Sequence, residues 1–259
     1  MFKENSFSII IPTRDRAGTL KHAINSVRNQ NYDNWELIIV DDGSEDDTEQ
    51  VVRELGGRTP KEIYYSTSHE PRRNIVYLKH DEPTERVGAF NTGHKHATKD
   101  WICWLGSDDE YLSIYLDTFN KFINENPDFK IFNCGKLVYH YKMTDADNFG
   151  IKKEKHFNRM SLMEAKEIPA IDNHFDSGLL GAGMFIFRRD LLNEVLPDGQ
   201  MPFGRNCYDF ADVAGIPGYS SKTRTLGNPW GEDFFMIYKL TRVAPSKKID
   251  IPLYIHFIR

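Results

Sequence analysis

The chain has 259 residues, 40% hydrophobic and 27% charged, proportions ordinary for a globular protein with a full core. Its 33 Lys and Arg against 38 Asp and Glu leave a net charge of −5, which argues against a general nucleic-acid binder. No apolar run approaches the ~18 residues that span a bilayer, and three widely spaced cysteines (Cys103, Cys134, Cys207) form neither a disulfide framework nor a zinc pattern.

The N-terminal Met1-Phe2-Lys3-Glu4-Asn5-Ser6 lacks the apolar core of a signal peptide, so a reducing cytoplasm is the expected setting. Phe7-Ser8-Ile9-Ile10-Ile11-Pro12 then reads as a strand buried on both faces. Thr19 offers a helix N-cap, with Leu20, Ala23, Ile24 and Val27 at helical spacing. Trp35-Glu36-Leu37-Ile38-Ile39-Val40 is a second strand, and residues 47–55 a second helix. This alternation predicts βαβ units and a mostly parallel sheet. Residues 56–73 read as an excursion at the sheet edge with one β-like piece, Ile63-Tyr64-Tyr65. A third strand follows at Asn74-Ile75-Val76-Tyr77-Leu78-Lys79, then a helix carrying Val87, Phe90, His94 and Ala97.

The fourth strand, Trp101-Ile102-Cys103-Trp104-Leu105, stops at Gly106 and runs into Asp108-Asp109-Glu110. Residues 111–126 are helical, ended by Pro127, and 130–141 suit an antiparallel or edge strand. The charged, aperiodic stretch 142–157 is a surface loop and marks the expected division into a nucleotide half (1–141) and an acceptor half (142–259) of one domain. Further strands are expected at 184–187 and 249–258, with helices at 188–196 and 232–243. Between them lies a long Gly- and Pro-rich loop, 197–229, of the kind that closes over ligands.

Two acidic strand ends define the chemistry. In an open α/β sheet, ligands bind outside the carboxyl ends of the strands, which is where Asp41-Asp42 and Asp108-Asp109 fall. Carboxylates there accept hydrogen bonds from ribose or base, or hold a hard cation that in turn holds a diphosphate. The alternatives are structural: Asp-Gly-Ser is good turn chemistry, and acidic residues favour the first turn of a following helix. Neither the dinucleotide glycine fingerprint nor a P-loop is present. A third cluster, Trp230-Gly231-Glu232-Asp233, opens the last helix, where capping again competes with function and Trp230 is a candidate for stacking on a sugar ring.

Five stretches in order carry a resemblance: Ile9-Ile10-Ile11-Pro12-Thr13-Arg14-Asp15-Arg16, Leu37-Ile38-Ile39-Val40-Asp41-Asp42-Gly43-Ser44, Ala89-Phe90-Asn91-Thr92-Gly93, Leu105-Gly106-Ser107-Asp108-Asp109 and Gly231-Glu232-Asp233. The chain resembles the family 2 glycosyltransferases, inverting, nucleotide-sugar-dependent enzymes of the GT-A fold, densely over about 7–125 and thinly beyond. The resemblance implies that Pro12, Thr13, Arg14 and Arg16 line a base pocket, with Asp41 and Asp42 on base and ribose. It implies nucleotide contacts from Asn91, Ser107 and Asp108, and Mn²⁺ or Mg²⁺ held by Asp109 and Asp108. Asp233 corresponds to the general base, with Glu232 and Trp230 on the acceptor side. The implied partners are a nucleotide-sugar donor, UDP by resemblance, and a glycan or lipid-linked sugar acceptor at the inner face of a membrane.

Two departures stand out. Gly106 replaces the usual first Asp of the D-x-D element, and Phe90 an Arg that touches phosphate or sugar, so Lys79 or Arg86 is expected to supply that contact. Asp15 replaces a common Asn. His256 in the terminal strand is a candidate third metal ligand, a half-buried histidine with one hydrogen bond being the ordinary alternative. A nucleotidyltransferase, which wants glycines after the first strand, and a catalytically degenerate sugar-binding protein are the competing readings.

Overall fold

Strands β1 (Phe7–Thr13), β2 (Trp35–Asp41) and β4 (Trp101–Trp104) are buried at nearly every position, the condition under which a strand reads as a continuous apolar run. The computed structural model describes residues 3–64, 73–141, 157–163, 182–196, 199, 201 and 232–258, with the backbone alone at 139–141, 157–163, 182, 232–235, 238 and 258. With β3 (Asn74–Lys79) these strands form a parallel sheet in the order β3-β2-β1-β4. Helices α1 (Ala17–Arg28), α2 (Thr48–Glu54), α3 (Pro60–Tyr64) and α4 (Glu85–His96) lie in the connections. Thr13 pairs with Asp41 and Asp41 with Lys79, so three strands end along one edge.

The chain continues through β5 (Glu110–Tyr111), α5 (Tyr115–Glu125), β6 (Ile131–Tyr141), β7 (Phe157–Met163), β8 (Phe185–Arg188), α6 (Leu192–Val195), α7 (Glu232–Val243) and β9 (Ser246–Ile258). β8 is antiparallel to both β4 and β6. β9 runs parallel to β6 and antiparallel to β5, and β7 pairs with the outer part of β6. Strands from both expected halves therefore share one sheet.

The packing explains two sequence features. A Cβ on Gly93 would stand 2.4 Å from Ile10 Cγ2, so this glycine lets α4 lie close on β1. Phe90 is 3% exposed and stacks on Trp104 with ring centroids 3.9 Å apart. It faces the core, where an arginine would be buried without a counter-charge.

Several expectations need correction. Ile63-Tyr64-Tyr65 is not a β-like piece: residues 60–64 are helix α3. Thr59 and Glu62 cap it reciprocally, Thr59 N–H donating to Glu62 Oε2 at 2.5 Å and Glu62 N–H to Thr59 Oγ1 at 3.3 Å, with Pro60 at the first helical position. Thr19 is not the N-cap of α1, which begins at Ala17; the Ala17 amide is satisfied from outside by Asp46 Oδ2 at 3.0 Å. Asp108, Asp109 and Glu110 cap no helix, because α5 starts only at Tyr115. β6 is antiparallel to β7 and β8, one of the two alternatives expected of it, but it lies inside the sheet and not at an edge. Residues 142–156, and 197–229 apart from Gly199 and Met201, lie outside the described residues.

Candidate active site

Asp109 is 4% exposed and is gripped from the far end of the chain. The Tyr254 hydroxyl donates to its Oδ2, while His256 Nδ1 at 3.0 Å and the Phe257 amide at 3.1 Å reach Oδ1. Burial, then the Asp109 charge, pushes the Tyr254 phenol far above its ordinary range, so it remains a donor. β9 supplies both side chains because residues two apart on a strand share a face, and its pairing with β5 (Glu110 with Ile255) sets them beside the Asp109 turn. A Cβ at residue 106 would meet Asp109 Oδ2 at 2.5 Å. Gly106 is thus the space into which the Asp109 carboxylate folds.

Asp108 leans the other way. Its Oδ2 pairs with Arg16 Nη1 at 2.9 Å, joining the β4 turn to the loop after β1. That loop is tied to the loop after β2: Asp15 N–H donates to Ser44 Oγ at 2.9 Å, and Asp15 Oδ1 accepts from the Glu45 amide at 2.8 Å. Asp15 adopts φ 49°, a left-handed conformation that Asn and Asp tolerate best, which accounts for the exchange with Asn.

The Asp41-Asp42 pair divides its work. Asp41 is fully buried, its Oδ1 accepting from the Ser44 amide at 2.8 Å and its Oδ2 from the Tyr77 hydroxyl at 2.6 Å. On Asp42, Oδ1 accepts from His80 Nδ1 (2.8 Å) and from the Thr84 amide (2.7 Å) and hydroxyl (2.8 Å). Burial by itself raises the Asp42 carboxyl, but these hydrogen bonds outweigh it and hold the group below its ordinary value. Thr13 Oγ1, on the same edge, is buried with no partner among the described residues. An orphaned hydroxyl there suits a polar ligand atom.

Not every expected residue converges. Asn91 is buried, and its side-chain amide clasps the backbone of Met201, Nδ2 to the carbonyl at 3.0 Å and Oδ1 from the amide at 2.7 Å. It positions the chain after α6. Lys79 Nζ lies 3.5 Å from Glu49, and Arg14 Nε lies 3.8 Å from Asp15. Pro12 stands next to Thr13 at the end of β1, Ser107 is buried in the Asp109 turn, and Arg86 is exposed in the first turn of α4. Glu232 and Asp233 begin α7, and Trp230 lies outside the described residues. Sequence reasoning missed Tyr254, His80 and Thr84. The alternation of β9 placed Tyr254 on the face of His256 and was a usable signal; nothing marked the other two.

The described chain is similar across 98% of its length to S. aureus TarS 1-349 solved in complex with UDP-GlcNAc, with a TM-score of 0.58, 17% identity and 59% of that chain covered. The fold is of the GT-A type. Residues 8–196 match Glycosyl transferase family 2, and the chain belongs to that family. It is 28% identical over 159 residues to a GalNAc(5)-diNAcBac-PP-undecaprenol beta-1,3-glucosyltransferase of Campylobacter jejuni, covering 61% of this chain and 48% of that protein. Over 110 residues it is 34% identical to a UDP-Glc:alpha-D-GlcNAc-diphosphoundecaprenol beta-1,3-glucosyltransferase of Escherichia coli, covering 42% of this chain and 38% of that one. The matched stretches thus span less than half the length of these relatives.

Proposed function

We propose that the chain transfers a sugar from a UDP-sugar to a hydroxyl of a lipid-linked glycan, by a direct displacement that inverts the anomeric centre. The observation that carries this reading is the meeting of Asp109, Tyr254 and His256 around Gly106, on the sheet edge that also presents Thr13, Asp42 and Asp108. The named activities of the relatives supply the donor and acceptor classes. Among the described residues no helix is long and apolar enough to cross a membrane. A lipid-linked acceptor would itself bring the reaction to a membrane surface.

A divalent cation fits the donor set. No group of three or more His, Cys, Asp or Glu forms a ready-made cage among the described residues, but Mg²⁺ and its like are commonly held by one or two carboxylates plus substrate phosphates. Asp109 and His256 already lie side by side, Oδ1 and Nδ1 being 3.0 Å apart. Asp109 and His256 would hold the ion, with Asp108 beside them; when bound, it would offset charge on the departing diphosphate. Thr13 and Asp42 orient the nucleoside, Tyr254 fixes the Asp109 carboxylate, and Asp233 at the start of α7 takes the proton of the acceptor hydroxyl.

Calorimetry of UDP with and without Mn²⁺ tests this reading. Asp109→Ala should abolish the metal-assisted part of binding and Asp108→Ala should weaken it less. Turnover undiminished by excess chelator would overturn the metal's role.

A further inference from the structure

Asp41 and Asp42 are neighbours at the end of β2, yet their carboxylates are held in different ways. Asp41 is fully buried and uses both oxygens, Oδ1 for the Ser44 amide and Oδ2 for the Tyr77 hydroxyl. Asp42 receives His80 Nδ1, the Thr84 amide and the Thr84 hydroxyl, and every one of these contacts falls on Oδ1. Its Oδ2 accepts nothing from a described residue and, unlike Thr13 Oγ1, is not sealed from solvent. With the residue as a whole only 4% exposed, that oxygen looks out through a narrow opening.

His80 is itself fixed from two sides. Its amide donates to Asp41 O at 2.9 Å, carrying the β2-β3 pairing one step past Lys79. Its Nε2 lies 2.8 Å from Thr92 Oγ1 in α4, and its side chain is 16% exposed. Burial raises the Asp42 carboxyl, but the His80 and Thr84 hydrogen bonds prevail and keep it below its ordinary value. It is therefore ionised at neutral pH and can only accept, so the ring donates to it through Nδ1.

A clasp that merely joined two loops would have no need of a vacant oxygen. Asp41 shows how such a clasp is built, with each carboxylate oxygen given its own donor. At Asp42 three donors crowd one oxygen and leave the other open, although polar atoms in a largely buried residue are ordinarily matched. The Asp42 amide donates to Thr13 O at 2.9 Å, so the open oxygen belongs to the residue beside the orphaned Thr13 hydroxyl. A carboxylate held in this way presents one fixed acceptor and loses no rotational freedom when a ligand arrives.

We propose that His80 is a positioning residue for donor binding: with Thr84 it pins Asp42 by Oδ1, so that Oδ2 meets an O–H or N–H donor of the nucleoside. This rests on the reading above that Asp42 orients the nucleoside. His80 acts through Asp42 and need not touch the nucleotide.

The test measures UDP affinity of the intact chain by calorimetry in Mn²⁺, with His80 replaced both in the wild type and in Asp42→Ala. His80→Ala is expected to weaken binding about tenfold, the order carried by a hydrogen bond to a charged group. His80→Phe keeps the ring's bulk without its nitrogens and is read in parallel, so the comparison stands if the alanine variant does not fold. His80→Asn, whose amide can still donate to Asp42, should recover most of the affinity. In the Asp42→Ala background, replacing His80 should cost nothing further, because the two residues form one unit. Equal losses in both backgrounds, no loss at all, or an Asn variant as weak as Phe would overturn the role of His80 and leave the nucleotide reading standing. A wild type that does not bind UDP, or one whose affinity Asp42→Ala leaves unchanged, would overturn that reading and this role with it.

Discussion

Asp109 depends on a glycine for its place. A carboxylate at residue 106 would insert a Cβ 2.5 Å from Asp109 Oδ2, closer than such atoms approach. The Asp109 side chain would have to leave Tyr254 and His256, or the turn would have to shift. Gly106→Asp is therefore expected to weaken Mn²⁺-assisted UDP binding at least tenfold and to cost about 1–3 kcal/mol of stability, as overpacking does. Calorimetry and urea denaturation read the two effects, and tighter binding in the variant would count against the packing argument. Asp233 carries the second expectation at this scale. With Asp233 as the proposed base, Asp233→Asn should keep donor affinity while lowering kcat by roughly 10²–10⁴-fold. A variant with normal kcat, or one without donor binding, would give Asp233 another role. The places of Asp42, Asp108, Asp109 and His256 in the fold were legible in the sequence because strand ends and alternation are local patterns. The core role of Phe90 was not, since nothing in an i to i+4 spacing reveals that Trp104 lies across from it.

The packing of α4 on β4 sets a pH dependence. His94 lies within ring-stacking range of Phe90 and Trp104, and Trp104 Nε1–H donates to His94 Nε2 at 3.0 Å. Nδ1 then carries the proton of the neutral ring, buried with no partner among the described residues. Burial lowers the His94 pKa from 6.5 to about 3. The folded state thus resists protonation that the unfolded chain accepts below 6.5, so stability is full above that value and declines as pH falls toward 3. By linkage the loss is about 2 kcal/mol at pH 5. His94→Gln keeps an acceptor for Trp104 and removes the titration. Urea denaturation at pH 7 and pH 5 should show a smaller acid loss in the variant by about that amount, and equal losses would refute the assignment. Element boundaries were less legible than element types. Helix α3 is the instructive miss: Thr59-Pro60-Lys61-Glu62 spells a capping box with proline at the first helical position, and the aromatic, β-branched Ile63-Tyr64-Tyr65 drew the reading toward a strand.

Across the whole molecule, the parallel half was legible because βαβ crossovers bring consecutive strands together. The second half was not, since β8 inserts between β4 and β6, and β9 between β6 and β5. Such pairings join residues far apart in sequence and leave no local mark. UDP bound along the shared edge should stabilise the fold as a unit. At a hundredfold excess over Kd the gain is about 2.7 kcal/mol, or a rise of roughly 5–10 °C in Tm at about 2–4 °C per kcal/mol for a chain of this size. Thermal scans with Mn²⁺ and UDP against Mn²⁺ and ADP read this, and no rise with UDP would count against the nucleotide reading.

The grip of β9 on Asp109 also bears on how the protein is made. Asp109 and Tyr254 are 145 residues apart, and at about 5–20 residues per second a ribosome takes on the order of 7–30 s to produce the second after the first. During that interval β5 and β6 lack the strand that comes to lie between them, and Asp109 has none of the three donors that later hold it. A nascent chain can complete the β3-β2-β1-β4 sheet while Asp109 still lacks these partners. The hydrogen-bonded setting of Asp109 therefore forms only when β9 enters the gap between β6 and β5, well after the parallel strands are available to pair.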